Sequence, residues 1–473
     1  MQPLSGHTAL ALASTAQTAP EIDTGNTAWV LVSTALVLFM TPGLAFFYAG
    51  MVRTKNVLGM LMQNYVVIGL VSVVWVLLTY SLAFGVDWGG HGLIGTLRYI
   101  GLAHNTEAVP GYSGPLAQTI PPLVFVIFQM MFAIITPALI TGSTADRLKF
   151  GGFVTVITLW AVLVYAPVAH WVFSPTGWLF KLGAEDFAGG TVVHVNAGIA
   201  GVALALAVGR RRGWPKEPMP PHSLPLTLLG AGILWFGWFG FNAGSALAAN
   251  QLAAQAFVNT NTATAAALLG WIATEKIKNG KSTTLGAASG AVAGLVAITP
   301  AAGFVNVIGA VVIGVVAGSL CALATSLKFR LKLDDSLDVG AVHLVGGATG
   351  ALLIGLLGTS TVAGADGLFY GGGLALLGKQ AAAVGAVAAF TFVVTFILAK
   401  LVNATIGLRV DQAAEYEGLD TSQHAETAYE LGLVLSRGRV PAAAGAPVGG
   451  GAAGRSGTDT DTDISTPAMG ADS

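Results

Sequence analysis

Long apolar runs alternate along the chain with short polar interruptions. Eleven runs stand out, at residues 28–50, 60–85, 120–143, 152–172, 188–209, 224–247, 257–274, 284–299, 304–327, 339–358 and 378–403. Most are about 20 residues long, the length a helix needs to cross the roughly 30 Å hydrocarbon core of a bilayer. The eighth, at about 16 residues, is the shortest of the set. Strands of a membrane barrel would give short alternating segments instead. The pattern therefore predicts an all-α polytopic membrane protein with eleven transmembrane helices.

The interruptions give the direction of threading. Alternate loops carry Arg53 and Lys55; Arg147 and Lys149; Arg210, Arg211, Arg212 and Lys216; Lys276, Lys278 and Lys281; and Lys328, Arg330 and Lys332. The opposite loops carry only Arg98, Lys181 and Lys379. Basic loops stay in the cytoplasm, so the N-terminus is expected outside and, with an odd number of spans, the C-terminus inside. Four regions follow. Residues 1–27 form an extracytoplasmic segment. Residues 28–403 form the membrane domain, 404–440 a cytoplasmic region, and 441–473 a tail whose Ala, Gly, Thr, Asp and Pro composition predicts disorder. No Lys or Arg precedes Arg53, which favours a short exposed N-terminal segment over a cleaved signal peptide.

A weak repeat is visible. VHVNAGIAG at residues 193–201 and VHLVGGATG at residues 342–350 share His, Gly and Gly at equal offsets. They sit in spans five and ten, so the copies run oppositely through the membrane, as inverted transporter repeats do. The eleventh span stands outside the repeat. Chance similarity between Gly-rich helices is the alternative.

Composition narrows the class. Charged residues make up 10% of the chain, against about 25% in soluble domains, too few to cover a soluble enzyme of this length. The 63 glycines suit close helix packing in a bilayer. A net charge of −1 gives no nucleic-acid footprint. The lone Cys321 is read as a packing residue.

Ionisable groups inside apolar spans are costly and mark candidate sites. His7, His91, His104, His222 and His424 fall in loops or termini, and His170 falls near the outer end of span four. His194 and His343 remain, one in each repeat copy. Two facing neutral imidazoles can share a proton, hold a small polar molecule or relay a proton. A satisfied helix–helix hydrogen bond is the plainer reading. No third buried ligand accompanies them, so a metal site is not expected. Asp186 precedes span five and suits a helix cap, or a buried charge stabilising a cation at the outer side. Asp338 invites the same cap reading before span ten. Phe132 and Phe241 can offer ring faces to a cation and Ser245 an acceptor oxygen, although composition alone makes the rings ordinary packing residues. No activated nucleophile or metal set accompanies these groups, so an enzyme is disfavoured.

Specific strings carry a resemblance. They include residues 128–132, Asp146-Arg147, DFAGGTVVH with its continuation to residue 198, and GWFGFNAGSA at 237–246. They also include Asp334-Asp335 through Asp338 with His343, residues 407–410, residues 417–420, and His424 through Tyr429. Over about residues 28–430 the chain resembles the ammonium transporter/methylammonium permease/Rhesus family, in its bacterial and archaeal ammonium transporter branch. The resemblance implies a multi-pass plasma-membrane protein taking up ammonium or ammonia, an eleven-span homotrimer with one pore per subunit, and no cofactor. It assigns the pore's twin histidines to His194 and His343, and the outer phenylalanine gate to Phe132 and Phe241. Ser245 and Phe132 fall at the outer recruitment site, with Asp186 as a nearby carboxylate. The family's recruitment Trp is replaced here by Phe173, with Trp171 and Trp178 as candidate substitutes. A cytoplasmic PII-type regulatory protein is the implied partner. Two alternatives stay open: an ammonium sensor signalling through its tail, and a Rhesus-like electroneutral gas channel.

Overall fold

The computed structural model describes residues 21–429. The predicted tail at 441–473, the end of the 404–440 region and most of the N-terminal segment lie outside them. All eleven apolar runs are helical. They are α1 (Thr24–Met51), α2 (Thr54–Phe84), α3 (Pro122–Thr144), α4 (Phe150–Leu182), α5 (Gly190–Val208), α6 (Leu224–Ala246), α7 (Gln251–Asn279), α8 (Thr284–Ile298), α9 (Val307–Arg330), α10 (Gly340–Leu357) and α11 (Ala375–Thr405). Two short helices follow, α12 (Gln412–Glu417) and α13 (Leu419–His424). Among the described residues, β pairing is limited to two isolated bridges, Asp87 with Gly95 and Leu148 with Arg409.

Nine of these helices are long and apolar enough to cross a membrane; α7 and α8 are the exceptions. Each exception has a physical reason. Three polar residues of α7, Asn259, Thr260 and Thr264, are buried: the Asn259 amide donates to the carbonyls of Ala302 and Val305, and Thr260 accepts from the Asn242 amide. The 15 residues of α8 are mostly buried and end just before Pro300. Thus α8 needs no apolar lipid face, whereas α7 also exposes Phe257, Val258 and Leu269.

Sequence sets the helix starts. Asp23, Asn250, Thr283 and Asn306 each accept a backbone N–H three residues on, opening α1, α7, α8 and α9. Glycine sets the closest approach. A Cβ on Gly314 or Gly318 of α9 would lie 2.3 Å from the Ala263 oxygen and 2.2 Å from the Ala267 oxygen of α7, so only glycine lets these backbones meet.

Four stretches wind more widely than an α-helix: Trp75–Thr79, Ala161–Tyr165, Gly190–Val195 and Gly340–Leu344. The last two begin α5 and α10 and carry the two candidate histidines. Such turns break the regular i to i+4 ladder and often mark functional positions.

The segment after α11 is tied to the basic loops. The Leu419 N–H donates to Asn56 and the Gly59 N–H to Asp420, each at 2.8 Å. The Val410 N–H donates to the Arg147 carbonyl, and Glu415 accepts from the Arg212 N–H and the Arg409 guanidinium. Beneath them, Arg211 grips Asp334 through its backbone N–H, Nε and Nη2 at 2.7–3.2 Å. The fully buried Arg147 donates to the Asp334 carbonyl and to Ser336. Burial alone would raise the Asp334 pKa; the Arg211 and Arg147 charges outweigh it and hold the carboxyl below its ordinary value.

Candidate functional site

The start of α5 is built on one carboxylate. Asp186 Oδ1 accepts the N–H groups of Gly189 and Gly190 at 2.8 and 2.6 Å, and Oδ2 those of Thr191 and Val192 at 2.8 and 3.1 Å. Four N–H groups that a helix start leaves unpaired are thus satisfied at once. Gly189, at φ 113°, makes the turn that returns the chain over its own carboxylate. The cap expected of Asp186 is present.

The matching cap on α10 is not Asp338. Asp335 Oδ2 accepts the Gly340 N–H at 2.7 Å, whereas Asp338 Oδ1 lies 2.8 Å from Lys328 Nζ. The physical reason lies in the register. Asp186 and Asp335 each stand eight residues before their histidine, and Asp338 falls opposite Gly189. Both residues at that point have positive φ, 113° for Gly189 and 60° for Asp338. Asp338 is therefore the turning residue, and its side chain is directed away from the helix start. Carrying the repeat alignment back past the histidines would have found Asp335.

The two wide turns bring the histidines together. His194 Nδ1 and His343 Nδ1 are 3.3 Å apart, with the rings nearly parallel at 5.4 Å. Both residues are buried. With neutral rings, one Nδ1 donates and the other accepts. His194 also stacks on Trp238 at 5.3 Å, and the Trp238 N–H is held by Thr299. Sequence reasoning missed Trp238, because an indole in an apolar helix looks like any packing residue.

From the histidines a row of rings leads away. Phe241 lies 6.1 Å from His194, Phe132 stacks on Phe241 at 4.4 Å, and Phe173 meets Phe132 edge-on at 6.3 Å. Phe128 adds a further edge contact to Phe132. Ser245 sits one turn past Phe241 and donates to its carbonyl at 2.8 Å. Phe173, half-buried at the end of the row, is the ring that meets Phe132. Trp171 and Trp178 pack on each other, and Trp171 also packs on Phe390 of α11. The structure thus puts Phe173, rather than either tryptophan, beside the stacked pair.

His343 is reached from the other direction. A cavity of about 190 Å³ is lined by Tyr48, Trp271, Glu275, Asp338, Val342 and His343 among others. Glu275 is fixed there by the Trp271 indole and by the backbone and hydroxyl of Thr283. Among the described residues no group of three or more His, Cys, Asp or Glu side chains converges to hold a metal ion. The remaining carboxylate near α5 is Glu185. Burial raises its pKa to about 7, against the pull of the Ala365 N–H and Lys379.

Comparison with known proteins follows the same outline. Residues 28–429 match the model of the Ammonium Transporter Family. An ammonium transporter of Mycobacterium tuberculosis is 54% identical over 437 residues, covering 87% of this chain and 91% of that protein. Ammonium transporter Amt1 of Archaeoglobus fulgidus is 49% identical over 405 residues, covering 86% and 99%. Among solved structures, Saccharomyces cerevisiae Mep2 superposes with a TM-score of 0.78 at 37% identity, covering 83% of this chain and 89% of Mep2. A protein described as "Sensor Amt Protein" superposes with a TM-score of 0.77 at 29% identity, covering 85% and 98%.

Proposed function

Because the chain belongs to the ammonium transporter family, we propose that it carries ammonium across the cell membrane along the row of rings from Phe173 to His343. The observation that carries this reading is the His194–His343 pair, buried between stacked phenylalanines on one side and an open cavity on the other. The family is one of membrane transporters rather than enzymes.

Hydrated ammonium arrives at the end of the row, where the faces of Phe132 and Phe173 and the Ser245 oxygen replace part of its water. Asp186 adds a negative charge near the entrance. Beyond Phe132 and Phe241, which gate the passage, the walls are apolar and an intact cation would be costly. Separating NH3 from its proton avoids that cost. NH3 then passes the two imidazoles by hydrogen bonding, and the proton returns outward or is relayed through the Nδ1–Nδ1 contact. The first route is electroneutral and the second electrogenic.

The topology supporting this has eleven membrane helices with the N-terminus outside and the C-terminus inside. It has two inverted five-helix repeats plus α11, and three copies of the chain in a homotrimer. The basic loops and residues 404–424 share the inner face, where a PII-type protein would dock. Reconstituted protein on a solid-supported membrane tests the transport reading. An ammonium pulse should evoke a current or an internal pH change, reduced in His194→Ala and His343→Ala. Protein that gives neither signal would overturn it.

A sensing role is the second reading, favoured by the similarity to a protein described as a sensor and by the ordered bonding of α12 and α13 to the basic loops. Rescue of a transport-deficient strain on low ammonium separates the two.

A further inference from the structure

One turn before Phe173, α4 buries a histidine that the transport path does not use. His170 is fully buried. Its Nδ1 lies 2.8 Å from the Ala83 carbonyl oxygen, and its Nε2 lies 3.1 Å from Asp87 Oδ1, on a carboxylate that is itself buried. Each ring nitrogen thus has its own oxygen partner, one on the backbone of α2 and one on a side chain just beyond it, so the ring is tied at both ends. A sequence reading as an interfacial histidine does not anticipate this.

The pair belongs to a larger fastening. The segment at residues 83–95 leaves α2 and folds back on itself at Asp87 and Gly95. It then binds α4 on both sides of Phe173. The Trp171 indole donates to the Leu93 carbonyl at 2.7 Å, and the Trp178 N–H donates to the Gly92 carbonyl at 3.1 Å. The Phe173 carbonyl accepts from Tyr112 Oη at 3.0 Å. Within this fastening, His170–Asp87 is the tie between two ionisable side chains. It sits one turn before Phe173, the ring that meets Phe132.

We infer that His170 and Asp87 are positioning residues: their buried hydrogen bond latches the 83–95 segment to α4 and so fixes the Phe173 ring at the entrance, setting the apparent affinity for the incoming cation. The inference rests on the transport reading above. Neither residue touches the permeant species.

The experiment has two arms. In reconstituted full-length protein, ammonium-evoked currents are measured as a function of concentration for wild type, His170→Gln, Asp87→Asn and the double variant His170→Leu/Asp87→Leu. The two single variants should raise KM about two- to fivefold, the range covered by ring–cation attraction, with the maximal current little changed. The double variant removes both polar groups and keeps the fold accessible should a single variant misfold; it should show the same rise in KM. Unchanged KM in folded variants, or a loss of maximal current alone, overturns the inference. In the second arm, amide hydrogen exchange is compared in detergent between wild type and His170→Gln. Exchange over residues 85–95 should be several-fold faster in the variant, and unchanged exchange there also overturns the inference. The exchange arm needs no transport, so a protein that evokes no current fails the functional reading while the latch is still tested.

Discussion

Replacing Asp186 by Asn changes one oxygen into an NH2 group and removes the charge, with almost no change in shape. The carboxylate accepts four backbone N–H groups, two on each oxygen. The amide keeps one oxygen and can serve one pair, so the other pair then faces a donor. Hydrogen bonds to charged groups contribute roughly 1.5–3 kcal/mol each, so losing two costs about 3–6 kcal/mol. At 1.4 kcal/mol per factor of ten, the wide turn that carries His194 becomes about 10²- to 10⁴-fold less populated in its present form. Asp335→Asn is the internal control. Asp335 makes one such bond to the start of α10, which the remaining amide oxygen can keep, so the same reasoning gives no lost bond there. The assay pairs thermal unfolding in detergent with ammonium-evoked current in proteoliposomes. Asp186→Asn should unfold at clearly lower temperature than Asp335→Asn and lose most of its current. Equal unfolding temperatures for the two variants would refute the hydrogen-bond count. Normal current from a destabilised Asp186→Asn would refute the link between this cap and the histidine.

Three further outcomes follow from the same geometry. Phe173→Trp offers a stronger cation-binding face beside Phe132 and should lower KM for ammonium about two- to fivefold; an unchanged concentration dependence would mean the cation does not use that face. Arg211→Ala strands the buried Asp334 carboxylate and should cost about 3–5 kcal/mol of stability. That loss would appear as a lower unfolding temperature, and an unchanged one would contradict the buried pair. Glu185 has its folded pKa raised from 4.5 to about 7, so the folded state holds its proton more tightly than the unfolded chain. Its contribution is fully present below about 4.5 and is lost as pH rises through about 7. Unfolding temperature measured from pH 5 to pH 8 should therefore fall less in Glu185→Gln than in wild type.

The helices were legible because the bilayer imposes a length on any apolar run. Even α7, which carries Asn259, Thr260 and Thr264, could be read from its neighbours, although Thr260 proves to bond to α6 and Asn259 to the backbone between α8 and α9. The wide turns were not legible. Nothing in GTVVHV or GAVHL distinguishes i to i+5 winding from an α-helix, because the extra residue is accommodated by what packs around it. The aromatic row was half legible: GWFGFNAGSA marked Phe241 and Ser245, but period and composition could not say that Trp238 would stack on His194. Phe173 was legible as a departure from a pattern, but its edge contact with Phe132 was not.

Asp335 bears on more than the repeat register. The two copies share a carboxylate eight residues before a histidine, but they differ at the turning residue. Glycine at position 189 adds no side chain, and the Asp186 carboxylate beside it is bound by four N–H groups of its own helix. Aspartate at position 338 adds a second carboxylate, which pairs with Lys328 and lines the cavity on the His343 side together with Glu275. The repeat is therefore symmetric in backbone and asymmetric in charge. On the phenylalanine side stand ring faces and one carboxylate already engaged by backbone. On the cavity side stand two carboxylate side chains, one balanced by an ion pair and one by hydrogen bonds. A path with that order of groups favours partial dehydration at the aromatic end and rehydration at the carboxylate end. Removing the extra carboxylate alone, Asp338→Asn, should therefore disturb passage out of the cavity more than passage into it while leaving the His194–His343 contact in place. Currents recorded with the ammonium gradient reversed would show it, and equal changes in both directions would mean that the charge asymmetry has no part in transport.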